Sequence, residues 1–304
     1  MKTILITGSN GLTGQKLLLQ AQFITNIKVI AIAKSENKAD LGSNTLFIQL
    51  DLTDKMALQN IFAIHKPDIV IHTAALTLPD SCENDKENAY LQNVTVVENL
   101  LEVCKQHQSF FVHLSTDFVF DGEKGNYDEN DLPNPISYYG YTKLEAEKKI
   151  LAYANTHVDI HVIDYAIIRT CLVYGKNPYM SRSNIVLWVK NNLEQGKPIK
   201  VVNDQFRTPT FVDDLAVATW TIALQKHTGI WHISGNEYLS PYQMALQVAD
   251  FLKLDVSLIS PTHAKEFIEI AKRPLKTGFS IAKAQKTFGF KPHSFLEGLK
   301  KMEL

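Results

Sequence analysis

The sequence predicts an α/β fold in which a parallel sheet is covered by helices on both faces. Short apolar, β-branched runs alternate with helical stretches through the first half of the chain. The runs are apolar along their whole length, as strands buried on both faces are. A glycine-rich turn directly follows the first run. These features are typical of the doubly wound, Rossmann-type sheet, whose ligands bind at the carboxyl ends of the strands.

The elements of this sheet can be placed in order along the chain. The predicted strands cover residues 3–7, 28–33, 46–49, 69–72, 110–114 and 163–169. The predicted helices cover residues 12–22, 56–65, 89–107 and 138–154. Strands that alternate with helices in this way are expected to run parallel.

The pattern changes after about residue 175, where Pro and polar residues become more frequent. We therefore predict a dinucleotide-binding Rossmann domain over residues 1–174 and a smaller lobe, mainly substrate-binding, over residues 175–304. The chain is expected to return to the sheet around residues 205–235, with residues 231–233 as its last strand. Ser240 and Pro241 then predict a helix start, with Ser as the N-cap and Pro at the first helical position.

Composition narrows the class of partner. The chain has 304 residues, and its 31 Lys and Arg nearly balance 32 Asp and Glu, so no nucleic-acid partner is expected. No apolar run approaches the roughly 18 residues of a membrane helix, so no membrane partner is expected either. The apolar run at residues 4–6 is too short for a signal peptide, and the three cysteines are widely spaced. We expect a cytoplasmic protein with reduced thiols.

The segment from Gly8 to Gly14 predicts a dinucleotide site. Gly8 permits the tight turn, Gly11 lets the backbone approach a pyrophosphate, and Gly14 lets helix and strand pack closely. Asn10 and Leu12 complete the loop, and the helix that begins there offers free N–H groups to the phosphates.

Residues after the second strand bear on the choice of cofactor. Ala33 stands where an acid for the ribose 2′-hydroxyl is usual, and Lys34 with Ser35 is suited to a 2′-phosphate. We therefore favour NADP(H), with NAD(H) as the alternative. Lys34 as a solvated loop charge is the competing interpretation.

Residues that end the next two strands are also candidates for the cofactor site. After the third strand, Asp51 and Leu52 are placed to meet an adenine, although Asp51 as the cap of the following helix is equally consistent. Ala74 and Ala75 follow the fourth strand, where small side chains let a cofactor lie against the backbone.

Tyr139 and Lys143 form the candidate catalytic pair. A spacing of four places them on one face of a helix. The pKa of a phenol, near 10, is too high for proton exchange at neutral pH, and a neighbouring ammonium is expected to lower it. Tyr138 and Tyr141 lack a Lys four residues on. Ser115 and Thr116 lie at the end of the fifth strand, where a hydroxyl can polarise a substrate carbonyl; a Ser or Thr that caps a turn is the competing interpretation.

Three motifs together resemble the extended short-chain dehydrogenase/reductases, and within them the dTDP-4-dehydrorhamnose reductases. They are TGxxGxxG at residues 7–14, STDxVFDG at 115–122 and YGxTKxxxE at 139–147. The likeness runs nearly end to end, through Arg169-Thr170, Asn203-Asp204-Gln205-Phe206 and Arg273-Pro274.

The resemblance implies an NAD(P)H-dependent reduction of a 4-keto group on a nucleotide-linked deoxysugar. It makes Thr116 the carbonyl-polarising hydroxyl, Tyr139 the acid and Lys143 its partner, which also binds the nicotinamide ribose. It places Arg207 toward the nucleotide diphosphate. The expected substrate-binding residues are Thr77, Asp117, Arg207 and Arg273. Proteins of this kind often form homodimers, so a homodimer is expected.

Several positions depart from the family pattern and bear on the sugar pocket rather than on the chemistry. They are Cys171-Leu172, where Ser-Trp is common, Arg207-Thr208, where Gly is often present, and Thr277 and Phe279 in place of Ser and Leu.

Other functions remain open. A sugar dehydratase usually has Asp-Glu after its catalytic Thr, whereas Phe118 follows Thr116-Asp117 here. Another nucleotide-sugar reductase or a 4-epimerase is consistent with the same residues. A regulatory role without catalysis, like that of the methionine adenosyltransferase beta subunit, is a further alternative. His157 and His161 are four apart but lack a metal-binding motif, so no metal is expected.

Overall fold

A seven-stranded parallel sheet organises the fold. The computed structural model describes residues 1–154, 162–177, 179, 183–267 and 270–304. Within these residues the sheet has the order β3-β2-β1-β4-β5-β6-β10. Its strands are β1 Lys2–Thr7, β2 Ile27–Ala33, β3 Thr45–Gln49, β4 Ile69–His72, β5 Phe110–Thr116, β6 Tyr165–Thr170 and β10 Gly229–His232. The predicted fold class is confirmed.

Helices cover both faces of the sheet. They include α1 Leu12–Ala21, α2 Lys55–His65, α3 Pro79–Asn84, α4 Lys86–Tyr90, α5 Val96–His107, α6 Tyr138–Ala154 and α8 Val212–Gln225. One apolar cluster packs α1 and α8 on one face of the sheet, and a second packs α2, α5 and α6 on the other. The inner strands are buried on both sides, which explains their continuous apolar sequence, whereas the edge strand β3 is only partly buried.

The order of strands reverses at β1, since β2 and β3 lie on one side of it and β4, β5 and β6 on the other. In open parallel sheets this reversal opens a crevice at the carboxyl ends of the strands. The ends of β1, β2, β4 and β5 therefore meet around one crevice.

The helix predicted over residues 89–107 differs from the structure. It begins three residues earlier, as α4, and a π-helical turn, Leu91–Thr95, separates α4 from α5. Buried Asn93 lies in this turn; its side chain accepts from the N–H of Leu76 at 2.8 Å and donates to the Leu76 carbonyl at 3.0 Å and to Thr142 Oγ1 at 3.0 Å. Apolar periodicity does not reveal a local widening of the helix.

A third apolar cluster forms the core of the C-terminal region. It joins α7 Ile185–Glu194, α9 Pro241–Leu252, α11 Phe295–Lys301 and the short parallel pair β8 Ile199–Val202 and β11 Ile259–Thr262; β7 Val173–Tyr174 pairs with β9 Thr210–Phe211, and α10 is Ala282–Phe288. Ser240 caps α9 in a reciprocal capping box, as its sequence predicts. The exact division of the chain into 1–174 and 175–304 stays a prediction.

None of the helices in the described part of the chain is long and apolar enough to cross a membrane.

Candidate active site

The glycine loop lies at the carboxyl end of β1. Gly8 has a φ of +69°, and a Cβ there would lie 2.6 Å from the backbone nitrogen of Ala74. Only glycine fits this turn and this close approach. Gly11 precedes α1 and leaves the first N–H groups of the helix facing the crevice. Gly14 sits against the carbonyl of Gly8, so it packs the helix on the loop rather than lining the crevice.

Asn10 holds the loop that follows β2. Its Nδ2 donates to Ser35 Oγ at 3.0 Å and to the Glu36 carbonyl at 2.7 Å, and its Oδ1 accepts from the N–H of Lys38 at 2.9 Å. Asn10, in the glycine loop, therefore fixes the position of the loop after β2, which borders the same crevice.

Lys34 and Asp51 form an ion pair at the outer end of the crevice. Lys34 Nζ lies 2.8 Å from Asp51 Oδ2. This hydrogen bond is the main reason that the pKa of Asp51 lies below its ordinary value. Asp51 also accepts from the backbone and hydroxyl of Thr53, while Asp54 caps α2 through the N–H of Ala57. Asp51 as the cap of α2 is therefore excluded.

The candidate catalytic residues come together at the end of β5. Thr116 is the last residue of that strand, and Tyr139 and Lys143 project from the first turns of α6. Lys143 Nζ donates to the Leu114 carbonyl at 2.7 Å and to His113 Nε2 at 3.0 Å. Burial of this ammonium lowers the pKa of Lys143 to about 8.

The structure corrects one expectation about Tyr139. Its pKa is raised rather than lowered, because burial of the phenol outweighs its hydrogen bond with Thr116. The Lys143 ammonium points instead toward β5, at Leu114 and His113. The phenol therefore remains protonated at neutral pH, which suits a proton donor.

Asp117 links Thr116 to the C-terminal region. Its buried carboxylate accepts from Thr116 Oγ1 at 3.1 Å, from Cys171 Sγ at 3.3 Å and from the hydroxyl of Thr277. Arg207 Nε lies 3.6 Å from the same carboxylate. Three positions that depart from the family pattern, Cys171, Arg207 and Thr277, thus meet on one acid.

The structure also shows what Arg207 and Arg273 contact within the protein. Arg207 Nη1 and Nη2 donate to the carbonyls of Phe206, Leu275 and Pro274. Its predicted contact with a diphosphate stays a prediction. Arg273 Nη2 lies 3.0 Å from Asp80 Oδ2, joining the C-terminal region to α3.

These groups surround one cavity of about 1000 Å³. The predicted site residues that line it are Gly8, Asn10, Gly11, Leu12, Lys34, Ser35, Asp51, Leu52, Ala74, Ala75, Thr77, Thr116, Asp117, Tyr139, Lys143, Arg207 and Arg273. Of the predicted set, Gly14 lies behind the wall. Its lining includes both the exposed Lys34, which we take as the outer end, and the buried Tyr139, which we take as the inner end. In the described ranges no group of three His, Cys, Asp or Glu side chains is placed to bind a metal. His157 and His161 lie outside these ranges.

Sequence reasoning missed three groups behind the cavity. One is Asn93 in the π-helical turn. Another is the buried ion pair in which Arg169 Nη2 meets Glu147 Oε2 at 2.6 Å, with Ser115 Oγ also donating to Glu147. The third is His113 beneath Lys143. One sequence feature could have revealed the buried Glu147: it follows Lys143 by four residues, which places both on one face of the helix.

Comparison with known proteins places the chain in a family. Residues 1–303 match the family described as RmlD substrate binding domain. The chain belongs to this family. The kinship predicted from the three motifs is confirmed by this match across nearly the whole sequence.

The chain is similar to proteins that carry different names. The chain is 30% identical to dTDP-4-dehydrorhamnose reductase of Aggregatibacter actinomycetemcomitans, over 99% of this chain and 98% of that protein. It is 31% identical to methionine adenosyltransferase 2 subunit beta of Xenopus tropicalis, over 93% of this chain and 81% of that protein. The structure of dTDP-4-dehydrorhamnose reductase of Bacillus anthracis strain Ames in complex with NADP is 27% identical, with a TM-score of 0.83 and coverage of 100% of this chain and 99% of that chain.

Proposed function

We propose that this protein is an NADPH-dependent reductase of a 4-keto group on a nucleotide-linked deoxysugar, acting as a dTDP-4-dehydrorhamnose reductase. The observation that carries the proposal is the meeting of Thr116, Tyr139 and Lys143 in the same cavity as the glycine loop. Family membership over residues 1–303, shared with reductases of that name, supports it.

The residues around the glycine loop fit a dinucleotide. Gly8 keeps the loop packed tightly against Ala74, and the N-terminus of α1 offers N–H groups for a pyrophosphate. The small side chains of Ala74 and Ala75 border the same crevice. When bound, NADPH would supply the hydride. Side chains of this protein would bind the cofactor and substrate, hold the reacting oxygen and donate the proton.

Lys34 and Ser35 would bind the adenosine 2′-phosphate. Both line the outer end of the cavity, and Asn10 fixes the loop that carries Ser35. Lys34 is exposed and pairs with Asp51, so it can exchange this partner for a phosphate without moving far. An acid that would repel that phosphate is absent at Ala33.

Tyr139 would act as the acid of the reduction. Its buried phenol holds its proton at neutral pH and can donate it to the alkoxide that hydride addition creates. Thr116 would hold the same oxygen, since its hydroxyl is a hydrogen-bond partner of Tyr139 and lines the cavity. Lys143 would bind the nicotinamide ribose and balance charge as the proton leaves.

The wall formed by Thr77, Asp117, Arg207 and Arg273 would meet the nucleotide sugar. All four line the cavity, Thr77 and Asp117 from the segments that follow β4 and β5 and the two arginines from the C-terminal region. A diphosphate carries negative charge, and Arg273 is the more exposed of the two arginines. We expect both arginines to face the diphosphate, with Arg273 the more accessible cation and Arg207 also holding Asp117 in place.

A regulatory role without catalysis is the second candidate, because the chain is 31% identical to a protein named as a methionine adenosyltransferase subunit. Such a role needs no working acid. Retention of Tyr139, Thr116 and Lys143 in one cavity favours the reductase.

The deciding experiment measures oxidation of NADPH and of NADH by the purified protein with dTDP-4-keto-6-deoxy-L-mannose, generated in the reaction from its precursor. Turnover at a rate proportional to enzyme, with NADPH preferred, is the expected result. Cofactor binding without oxidation, here and with other 4-keto nucleotide sugars, would overturn the reductase function. Co-purification with a methionine adenosyltransferase in that case would favour the regulatory role.

A further inference from the structure

Two histidines lie side by side in the sheet, directly behind Lys143. His72 on β4 and His113 on β5 are register partners, and their rings stack with centroids 5.4 Å apart. Both are almost completely buried. The proposed reduction gives neither ring a role, although His113 Nε2 lies 3.0 Å from Lys143 Nζ.

The contact with Lys143 fixes the protonation of His113. An ammonium has only donors, so His113 Nε2 must accept, and the single proton of the neutral ring is on Nδ1. Burial and the charge of Lys143 hold the pKa of His113 well below its ordinary value. The ring is therefore a neutral acceptor throughout the pH range in which an enzyme works.

The position is costly for the fold. His113 Nδ1 and His72 Nε2 are buried and have no hydrogen-bond partner in the described part of the chain. The other nitrogen of His72, Nδ1, lies 2.7 Å from Thr7 Oγ1. An apolar side chain would fill the strand position without leaving a buried polar atom unsatisfied, so packing alone does not explain His113.

We propose that His113 is a positioning residue that holds the Lys143 ammonium in its charged form at the wall of the cavity, by accepting a hydrogen bond through Nε2. The proposal rests on the proposed function for the identity of the ligand that Lys143 meets. The Leu114 carbonyl is the second acceptor, and together the two acceptors direct Nζ toward β5.

The charge of Lys143 depends on the groups that face it. They are His113 from β5, His72 from β4 behind it, and Glu147 from α6, whose charge favours the ammonium. Burial opposes the ammonium and sets the pKa of Lys143 at about 8. Removal of one acceptor destabilises the charged form further, so Lys143 would lose its proton at a pH lower by about one unit.

The test measures the affinity for NADPH by fluorescence titration across pH, without any sugar. We expect wild-type affinity to weaken above about pH 8, as Lys143 is deprotonated. In His113→Leu this midpoint should fall by about one pH unit. In His113→Gln, whose amide oxygen can accept from Lys143, it should stay near the wild-type value. Val112→Ala, a buried change on the same strand, controls for general loosening of β5 and should leave the midpoint in place.

A wild-type midpoint in His113→Leu would overturn the proposal, as would an equal displacement in His113→Gln or Val112→Ala. His113→Phe, which has an aromatic ring without nitrogens, replaces His113→Leu if that variant does not fold. The pH midpoint of NADPH affinity should fall by the same amount in His113→Phe. Because no sugar enters the measurement, failure of the reductase assay leaves this test intact, and the two proposals fail separately.

Discussion

An ion pair that lines the cavity and one that lies behind its wall differ in how much water reaches them. At the outer end the side chains of Lys34 and Asp51 are 72% and 36% exposed. Behind the inner end those of Arg169 and Glu147 are 2% and 1% exposed. Exposed pairs contribute little free energy, whereas loss of one partner of a buried pair leaves a charge without solvation. The outer pair is therefore suited to exchanging partners with a ligand, and the inner pair to holding one geometry.

The largest effect should come from the inner end. We expect Tyr139→Phe to lower the turnover number by about 10²–10⁴-fold, because the alkoxide loses its proton donor. Affinity for NADPH should change little, as measured by fluorescence titration. Tyr141→Phe removes the same hydroxyl from an exposed residue of α6 and is the matched control. Near-normal turnover in Tyr139→Phe would remove Tyr139 from the chemistry.

The buried pair can be broken at Glu147, which does not itself line the cavity. Glu147→Gln leaves the Arg169 guanidinium uncompensated, and we expect the free energy of unfolding to fall by about 3–5 kcal/mol. Glu194→Gln disrupts a surface pair with Lys190 and should cost roughly 0.5 kcal/mol or less. Denaturant titration measures both. Equal midpoints for the two variants would mean that burial does not determine the cost of breaking an ion pair in this protein.

At the outer end the expected change is one of preference. Lys34→Asp places a second carboxylate beside Asp51, and we expect it to weaken NADPH relative to NADH by roughly tenfold, since it removes a charge-assisted contact to the 2′-phosphate. Lys38→Asp makes the same charge change in the same loop. The ratio of kcat/KM for the two cofactors is the measurement. An unchanged ratio in Lys34→Asp, or an equal change in Lys38→Asp, would make Lys34 a bystander.

The smallest effect is expected at the ion pair between α3 and the C-terminal region. Asp80 and Arg273 are 42% and 25% exposed, so Asp80→Asn should cost about 1 kcal/mol or less in unfolding free energy. The cost should shrink further in concentrated salt, because mobile ions screen exposed charges. A salt-independent loss of several kcal/mol would place this contact in the class of the buried pair.

The sheet was predictable because each of its buried strands is marked by a short apolar run of adjacent residues. Strands buried on both faces must be apolar throughout, and the predicted bounds of 69–72 and 138–154 coincide with β4 and α6. The predicted end of the fifth strand, residue 114, falls two residues before the end of β5. Ser115 and Thr116 continue the strand although they are polar, because they face Glu147 and the cavity.

The site was predictable only where its residues are close in sequence. The glycine loop and the Tyr139–Lys143 spacing each lie within one turn or helix. Contacts between distant segments, such as Asp117 with Thr277, depend on how the C-terminal region folds back. The direction of the Tyr139 pKa shift depended on burial and on where Lys143 points, and neither is encoded in a spacing.

The last strand of the sheet, β10, is synthesised well after β6, the strand with which it pairs. β10 pairs with β6 through residues such as Ile230 and Ile167, although about 60 residues separate the two strands in the chain. During synthesis at roughly 5–20 residues per second, the edge of β6 stays unpaired for several seconds. An apolar edge is a template for pairing with another chain. A nascent chain on a ribosome that stalls after β6 and before β10 would therefore be prone to aggregate. Chaperone binding would protect the chain most during this interval.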